Sequence, residues 1–251
     1  TKTVELWGTT NNVTLGSGNV EAMYLGDHND FVRGGSGFVN HLELGGGTNT
    51  LLGGTGNFGS INARGNNTVV LSNGADSIQF GDGNNRLVLN GGYYFAVSAY
   101  SGGTNTNYFT IATGAEVRSI GLSSSKDTIV VAGYVQQIDV GSNDDKVFVT
   151  SGGGVSSLNL GSGNNTLSAS GDGVWVVTAY GGNDRLILTA GETDQANVGG
   201  GNNTIIIKGG YFLGSLGAYE GNDVVNMGGV NTEIRQANLG GGNNNVVITS
   251  G

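Results

Sequence analysis

Residues 161–188 read GSGNNTLSASGDGVWVVTAYGGNDRLIL. The stretch opens on glycines, passes through the pair Asn164-Asn165 and enters a short strand-forming segment. Nineteen residues later it meets an equivalent pair, Asn183-Asp184, ahead of Leu186-Ile187-Leu188. Glycine supplies the positive φ of a tight turn, and Asn tolerates the left-handed region while bonding neighbouring backbone. The cassette Gly-x-Gly-Asn-(Asn/Asp)-x-aliphatic recurs, as in GDGNNRL at 81–87. The second residue of each pair, or its nearest equivalent, falls at Asn12, Asp30, Thr50, Asn67, Asn85, Thr106, Asp127, Asp145, Asn165, Asp184, Asn203, Asp223 and Asn244, a mean interval of about nineteen residues. A repeat of that period is the first thing to explain.

Each pair is followed by a β-branched run, such as Thr204-Ile205-Ile206-Ile207 or Lys146-Val147-Phe148-Val149. It is preceded by a run that alternates apolar and polar and closes on glycine, such as Leu42-Glu43-Leu44-Gly45 or Ile138-Asp139-Val140-Gly141. Both read as strands. Turns such as Ser151-Gly152-Gly153 and Gly209-Gly210 join them. A unit this short cannot bury its own apolar face, but it can do so against copies stacked above and below. The spacing therefore predicts an all-β chain, a single parallel β-solenoid (β-roll or β-helix) of about thirteen coils of ~19 residues. Helical repeats are excluded, because no segment holds apolar residues at 3.6 spacing and glycine breaks every window. Residues 1–251 read as one domain, and the lack of a polar cap at either end suggests a fragment of a longer secreted protein. The intervals are least regular between Asn85 and Asp127, where Gly92-Tyr93-Tyr94-Phe95 suggests a bulged coil or extruded loop.

Composition narrows the function. Glycine makes up 50 of 251 residues while Pro and Cys are absent, which removes collagen, disulfide frameworks, zinc-thiolate sites and thiol nucleophiles. A net charge of −9 leaves no basic face for nucleic acid. No apolar run reaches the ~18 residues of a membrane span, so membrane insertion is not expected.

The glycine-asparagine turns resemble the calcium-binding nonapeptide of repeats-in-toxin (RTX, haemolysin-type) proteins, Gly-Gly-x-Gly-x-Asp-x-aliphatic-x, in a degenerate form with Asn for Asp. Nineteen-residue coils are also similar to the β-helical passengers of autotransporters and filamentous haemagglutinins. The RTX resemblance implies an extracellular or cell-surface bacterial location and calcium as cofactor. The family's ligand Asp carries over to Asp127, Asp145, Asp184 and Asp223, and to Asp30 in a turn lacking the second glycine. The residues themselves also allow a metal-free ladder in which Asn67, Asn85, Asn165, Asn203 and Asn244 stack with the aspartates. From Asp145 onward Asp and Asn alternate, setting carboxylates about 9.6 Å apart, near a Debye length.

The post-turn strand is apolar at successive positions, so one column faces outward: Val70, Val88, Phe109, Val130, Phe148, Ile187, Ile206 and Val247, interrupted by Ser168 and Asn226. Either folded-over residues such as Trp175, Tyr211 and Phe212 cover it, or it docks another copy or a flanking domain. Catalysis finds little support. The histidines His28 and His41 have Asp27, Asp30 and Glu43 as sequence neighbours, Asp144 and Asp145 point to opposite faces, and the bases Arg86, Lys126, Lys146, Arg185 and Lys208 are scattered. The expectation is a non-enzymatic structural or adhesive segment of an adhesin, surface-layer or RTX-type protein, self-associating or meeting flanking domains, a cell surface or a carbohydrate. A carbohydrate-modifying β-helix of lyase or epimerase type is one alternative. An ice-binding face on Thr50, Thr68, Thr128, Thr166 and Thr204 is another.

Overall fold

The computed structural model describes residues 2–100, 102, 104–209 and 211–249, so Gly210 of the expected Gly209-Gly210 turn lies outside the described residues. Among these there is no helix. The chain is a parallel β-solenoid of about thirteen turns with two strands per turn. It divides into two compact units, Thr1–Ser125 and Lys126–Gly251.

In the second unit the first strand of each turn, for example Gly173–Gly181, pairs in parallel with Gly154–Ser162 before it and Glu192–Asn197 after it. The second strand, for example Arg185–Leu188, pairs with Thr166–Ala169 and Thr204–Lys208. The first unit is built the same way, with Asn85–Leu89 between Asn66–Leu71 and Asn107–Ile111. Like residues consequently form files: Leu51, Val69, Leu87 and Phe109 in the first unit, and Leu167, Leu186, Ile205 and Val225 in the second. These side chains are fully or almost fully buried, and Phe109 packs on Phe80 of the other sheet with ring centroids 5.7 Å apart. Each buried Leu or Ile contributes about 1.5–3 kcal/mol of apolar burial, which an isolated turn could not collect.

The first-sheet strands do not alternate strictly. Gln136-Gln137 and Asp194-Gln195 are two successive exposed residues between buried ones, bending the strand around the core. The irregular stretch also differs from expectation. Gly92–Ala99 is a regular strand of the first sheet, and Tyr94 lies fully inside the core with its hydroxyl donating to the Gly91 carbonyl at 2.8 Å. That bond lets a phenol occupy a core position, where burial holds its hydroxyl far above the usual tyrosine range. The extra residues lie between Ala99 and Asn107, in a connection that leaves the stacking register intact.

Inward and outward neighbours on one strand should therefore differ sharply in cost. Leu186→Ala is expected to lower stability by about 3 kcal/mol and Ile187→Ala by less than about 1 kcal/mol in denaturant melts. Equal losses at the two positions would contradict the register.

Candidate functional site

The turns that join first to second strands carry the chemistry that distinguishes this chain from a plain sheet stack. Their glycines are held at positive φ against the turn below: Gly182 has φ 116°, and a Cβ there would lie 2.0 Å from the Gly163 carbonyl oxygen. Only glycine allows turns to approach that closely.

The second residue of each Asn-(Asn/Asp) pair from Asn29-Asp30 onward points inward. In the second unit the backbone N–H of Asp127 donates to Asp145 Oδ1, Asp145 N–H to Asn165 Oδ1, Asn165 N–H to Asp184 Oδ1 and Asp184 N–H to Asn203 Oδ1, at 2.7–3.0 Å. Asn203 N–H continues to Asp223 Oδ1 and Asp223 N–H to Asn244 Oδ1, both at 2.9 Å. Of these, Asp127, Asp145, Asn165, Asp184, Asn203 and Asp223 are buried, and Asn244 is half-buried. In the first unit the amides of Asn49, Asn67 and Asn85 donate side chain to side chain to Asn67, Asn85 and Asn107, and Asn107 in turn donates to Ser125.

Three members of the sequence-derived column are displaced by one residue. Asn11 rather than Asn12 bonds Asp30, Asn49 rather than Thr50 accepts from Asp30 N–H, and Asn107 rather than Thr106 accepts from Asn85. In a strand of period two, a shift of one residue moves a side chain to the other face.

The first residue of each pair, which the column omitted, forms a second ladder on the exposed side. Asp144 Oδ1 accepts from Asn164 N–H, Asn164 from Asn183, Asn183 from Asn202, Asn202 from Asn222 and Asn222 from Asn243, at 2.7–2.8 Å. Here the side chain reaches the following turn, whereas the inner side chain reaches the preceding one. The doublet itself was the legible signal: two adjacent residues, one for each direction. A further clamp closes the first-sheet strands. Asp139, Asn159 and Asn238 each accept the N–H of the glycine two residues on, at 3.0–3.2 Å.

The two outward faces differ. The column expected on the second sheet contains Val70 and Val88 in the first unit and Val130, Phe148, Ile187 and Ile206 in the second, all half-buried, with Val247 exposed. Phe109 does not belong to it. The longer connection before Asn107 places Phe109 in the inward file, and Thr110 stands outward beside Val88. Trp175 and Tyr211 do not cover the column either. Trp175 is exposed on a first-sheet strand, and Tyr211 is fully buried against the Thr193 hydroxyl. The side chain of Phe212 lies outside the described residues. Outward threonines do line up, but exposed Arg86 follows Thr50 and Thr68, and exposed Lys146 and Arg185 alternate with Thr128, Thr166 and Thr204.

His28 is exposed. His41 Nδ1 contacts the Ser60 hydroxyl at 2.7 Å, but its Nε2 is 4.0 Å from Glu43, which also pairs with Arg64 at 3.5 Å. That separation is too long for the hydrogen bond that would orient a catalytic imidazole. Asp144 is exposed and pairs with Lys126 at 3.8 Å, while Asp145 is buried, so the two carboxylates face different environments.

The inner aspartates have unusual chemistry. One carboxyl oxygen accepts a backbone N–H, while the other, at Asp30, Asp145, Asp184 and Asp223, is sealed from solvent with no hydrogen-bond partner. Desolvation dominates, pushing Asp145 up to about 8, against a lowering from the Asp127 N–H, and Asp184 up to about 6. Asn165 and Asn203, in equivalent positions, donate Nδ2–H to the Gly163 and Gly201 carbonyls at 3.2 and 3.1 Å. A protonated carboxyl group is isosteric with that amide and supplies the same kind of donor.

Calcium would need six to eight oxygens. An inner aspartate offers one free oxygen, the Asn165 and Asn203 amides occupy the Gly163 and Gly201 carbonyls of their own turns, and among the described residues no three His, Asp or Glu side chains cluster. At Asp145 and Asp184 this environment favours the neutral acid relative to a free carboxyl group.

Searches against protein-family models, curated proteins and solved structures find no match for this chain.

Removing Asn165 strands the buried Asp145 N–H, so Asn165→Ala should cost about 1–3 kcal/mol, against less than about 0.5 kcal/mol for exposed Ser162→Ala. Because Asp145 and Asp184 have raised folded pKa values, their stabilisation is complete below the usual 3.8 and is lost as pH climbs through about 6 and then about 8. The melting temperature should fall between pH 4 and pH 8, and Asp184→Asn together with Asp145→Asn should flatten that slope and raise stability at pH 8. A melting temperature that rises over this range would refute the neutral carboxyls.

Proposed function

We propose that this chain is a non-enzymatic structural and adhesive segment of an extracellular bacterial protein of the adhesin, surface-layer or RTX type. The observation that carries the reading is the pair of oppositely directed side-chain ladders, which invests the chain's recurring polar residues in fixing turn to turn rather than in a reactive centre. Such a segment holds its outward files at fixed spacing, and the half-buried aliphatic file around Phe148, Ile187 and Ile206 is a surface through which it meets another copy or a flanking domain. The dispersion of His28, His41, Asp144 and Asp145 supports a role without turnover. Exposed Lys146 and Arg185 within the threonine file weigh against an ice-matching face.

The ladder requires no cation in this reading, so thermal unfolding should give the same midpoint in EDTA and in millimolar calcium. A large calcium-dependent rise, as mass action demands of a ligand bound only by the folded state, would replace the proton at Asp145 and Asp184 with a metal. Incubation with alginate or pectate should leave the polymer unchanged. Release of unsaturated uronates that His41→Ala abolishes would instead make the chain a lyase.

A further inference from the structure

The first sheet of the second unit carries an outward groove of about 300 Å³ that crosses the strands Glu192–Asn197, Phe212–Gly217 and Glu233–Asn238. Its floor exists because a side chain is missing. Gly217 stands in one file between Asn197 and Asn238, both of which project polar amides. Gln195, Ser215 and Gln236 form the adjoining file, and no residue lining the groove carries a formal charge.

Tyr219 at its edge is 63% exposed, and Tyr180, in the same file two turns earlier, is 68% exposed. Between them lies Gly199, at φ 68°, where a Cβ would meet the Tyr180 carbonyl group at 2.6 Å. Only glycine fits there, so no side chain of the intervening turn separates the two tyrosines in this file. Tyr180 and Tyr219 sit two turns apart, about 9.6 Å at the backbone. Asn197 fixes the second ring: its Nδ2 donates to the Tyr219 hydroxyl at 3.0 Å, while its Oδ1 accepts Gly199 N–H at 3.5 Å. An exposed ring held in place gives up little freedom when a ligand stacks on it.

We propose that this corner binds a neutral, extended, β-linked glycan of the cello-oligosaccharide type. Successive sugars in such a chain turn over, so the same face returns at every second sugar, matching tyrosines placed at every second turn. The apolar C–H faces stack on the rings, and the equatorial hydroxyls meet the amides and hydroxyl of the groove. An uncharged lining on a chain of net charge −9 selects against polyuronates.

The proposal supplies a ligand for the adhesive reading above. Its failure would leave the ladder untouched, because the metal and pH melts test that separately. The test is calorimetric titration of the whole chain with cellohexaose. Gly217→Val fills the floor of the groove at a residue without left-handed φ, where a Cβ would lie 3.4 Å from Asn197 Oδ1 and 4.0 Å from the Ala196 carbonyl oxygen, both ordinary van der Waals contacts. Gly217→Val and Tyr219→Ala should each weaken binding at least about tenfold with an unchanged melting temperature, whereas Tyr219→Phe, which keeps the ring, should lose less than about threefold. Absence of saturable binding to the unmodified chain would overturn the assignment, as would binding that survives both Gly217→Val and Tyr219→Ala.

Discussion

From Asp127 to Asp223 the inner turn residues of this protein hold backbone N–H groups at a buried corner where the acceptor is a side chain of the next turn. An unpaired buried donor costs about 1–3 kcal/mol, and a solenoid repeats that liability at each level. The inner Asn/Asp file resolves it by lending a side-chain oxygen from the next turn, as Asp184 does for Asn165 and Asn203 for Asp184. Aliphatic stacking supplies cohesion between the sheets. It is non-directional, however, and would tolerate a turn sliding by two residues, which the ladder does not.

The outer file adds a second constraint with the opposite sense. Asn183 is bonded backwards through its own N–H to Asn164 and forwards through its side chain to Asn202, while the inner neighbour Asp184 makes the reverse pair of contacts. A turn bonded in both directions by adjacent residues is fixed in level and in rotation together. This also explains why turn length can vary without loss of register: the connection between Ala99 and Asn107 absorbs additional residues, and the files on either side continue across it.

Use of Asp in place of Asn at positions 145 and 184 adds pH sensitivity to an otherwise inert element. An amide donates and accepts at any pH, whereas a carboxyl group matches it only when protonated. Burial at Asp145 and Asp184 favours that form. The surfaces are freed for other uses, since the bonds that define the stack lie at the turns. The first-sheet face of the second unit is polar and grooved, and the second-sheet face is aliphatic and charged in stripes.

The repeat of about nineteen residues, the parallel stacking and the Asn/Asp file were legible in the sequence, because period and turn chemistry are local and glycine at positive φ leaves a signature that does not depend on distant contacts. The resolution of that reading was one residue. At Asn12, Thr50 and Thr106 counting chose a neighbour of the true ladder member, and Phe109 was assigned outward although it is core, since one residue separates the two faces of a strand. The sequence around Tyr94 suggests a bulged coil or extruded loop, because nothing local reveals that the Gly91 carbonyl receives its hydroxyl. Only the tertiary structure decided how the aspartates are solvated, which direction each ladder runs, and that Tyr180, Gly199 and Tyr219 share one file. Each of these depends on the distance between residues about twenty positions apart, a quantity fixed by turns lying on one another and not by either segment alone.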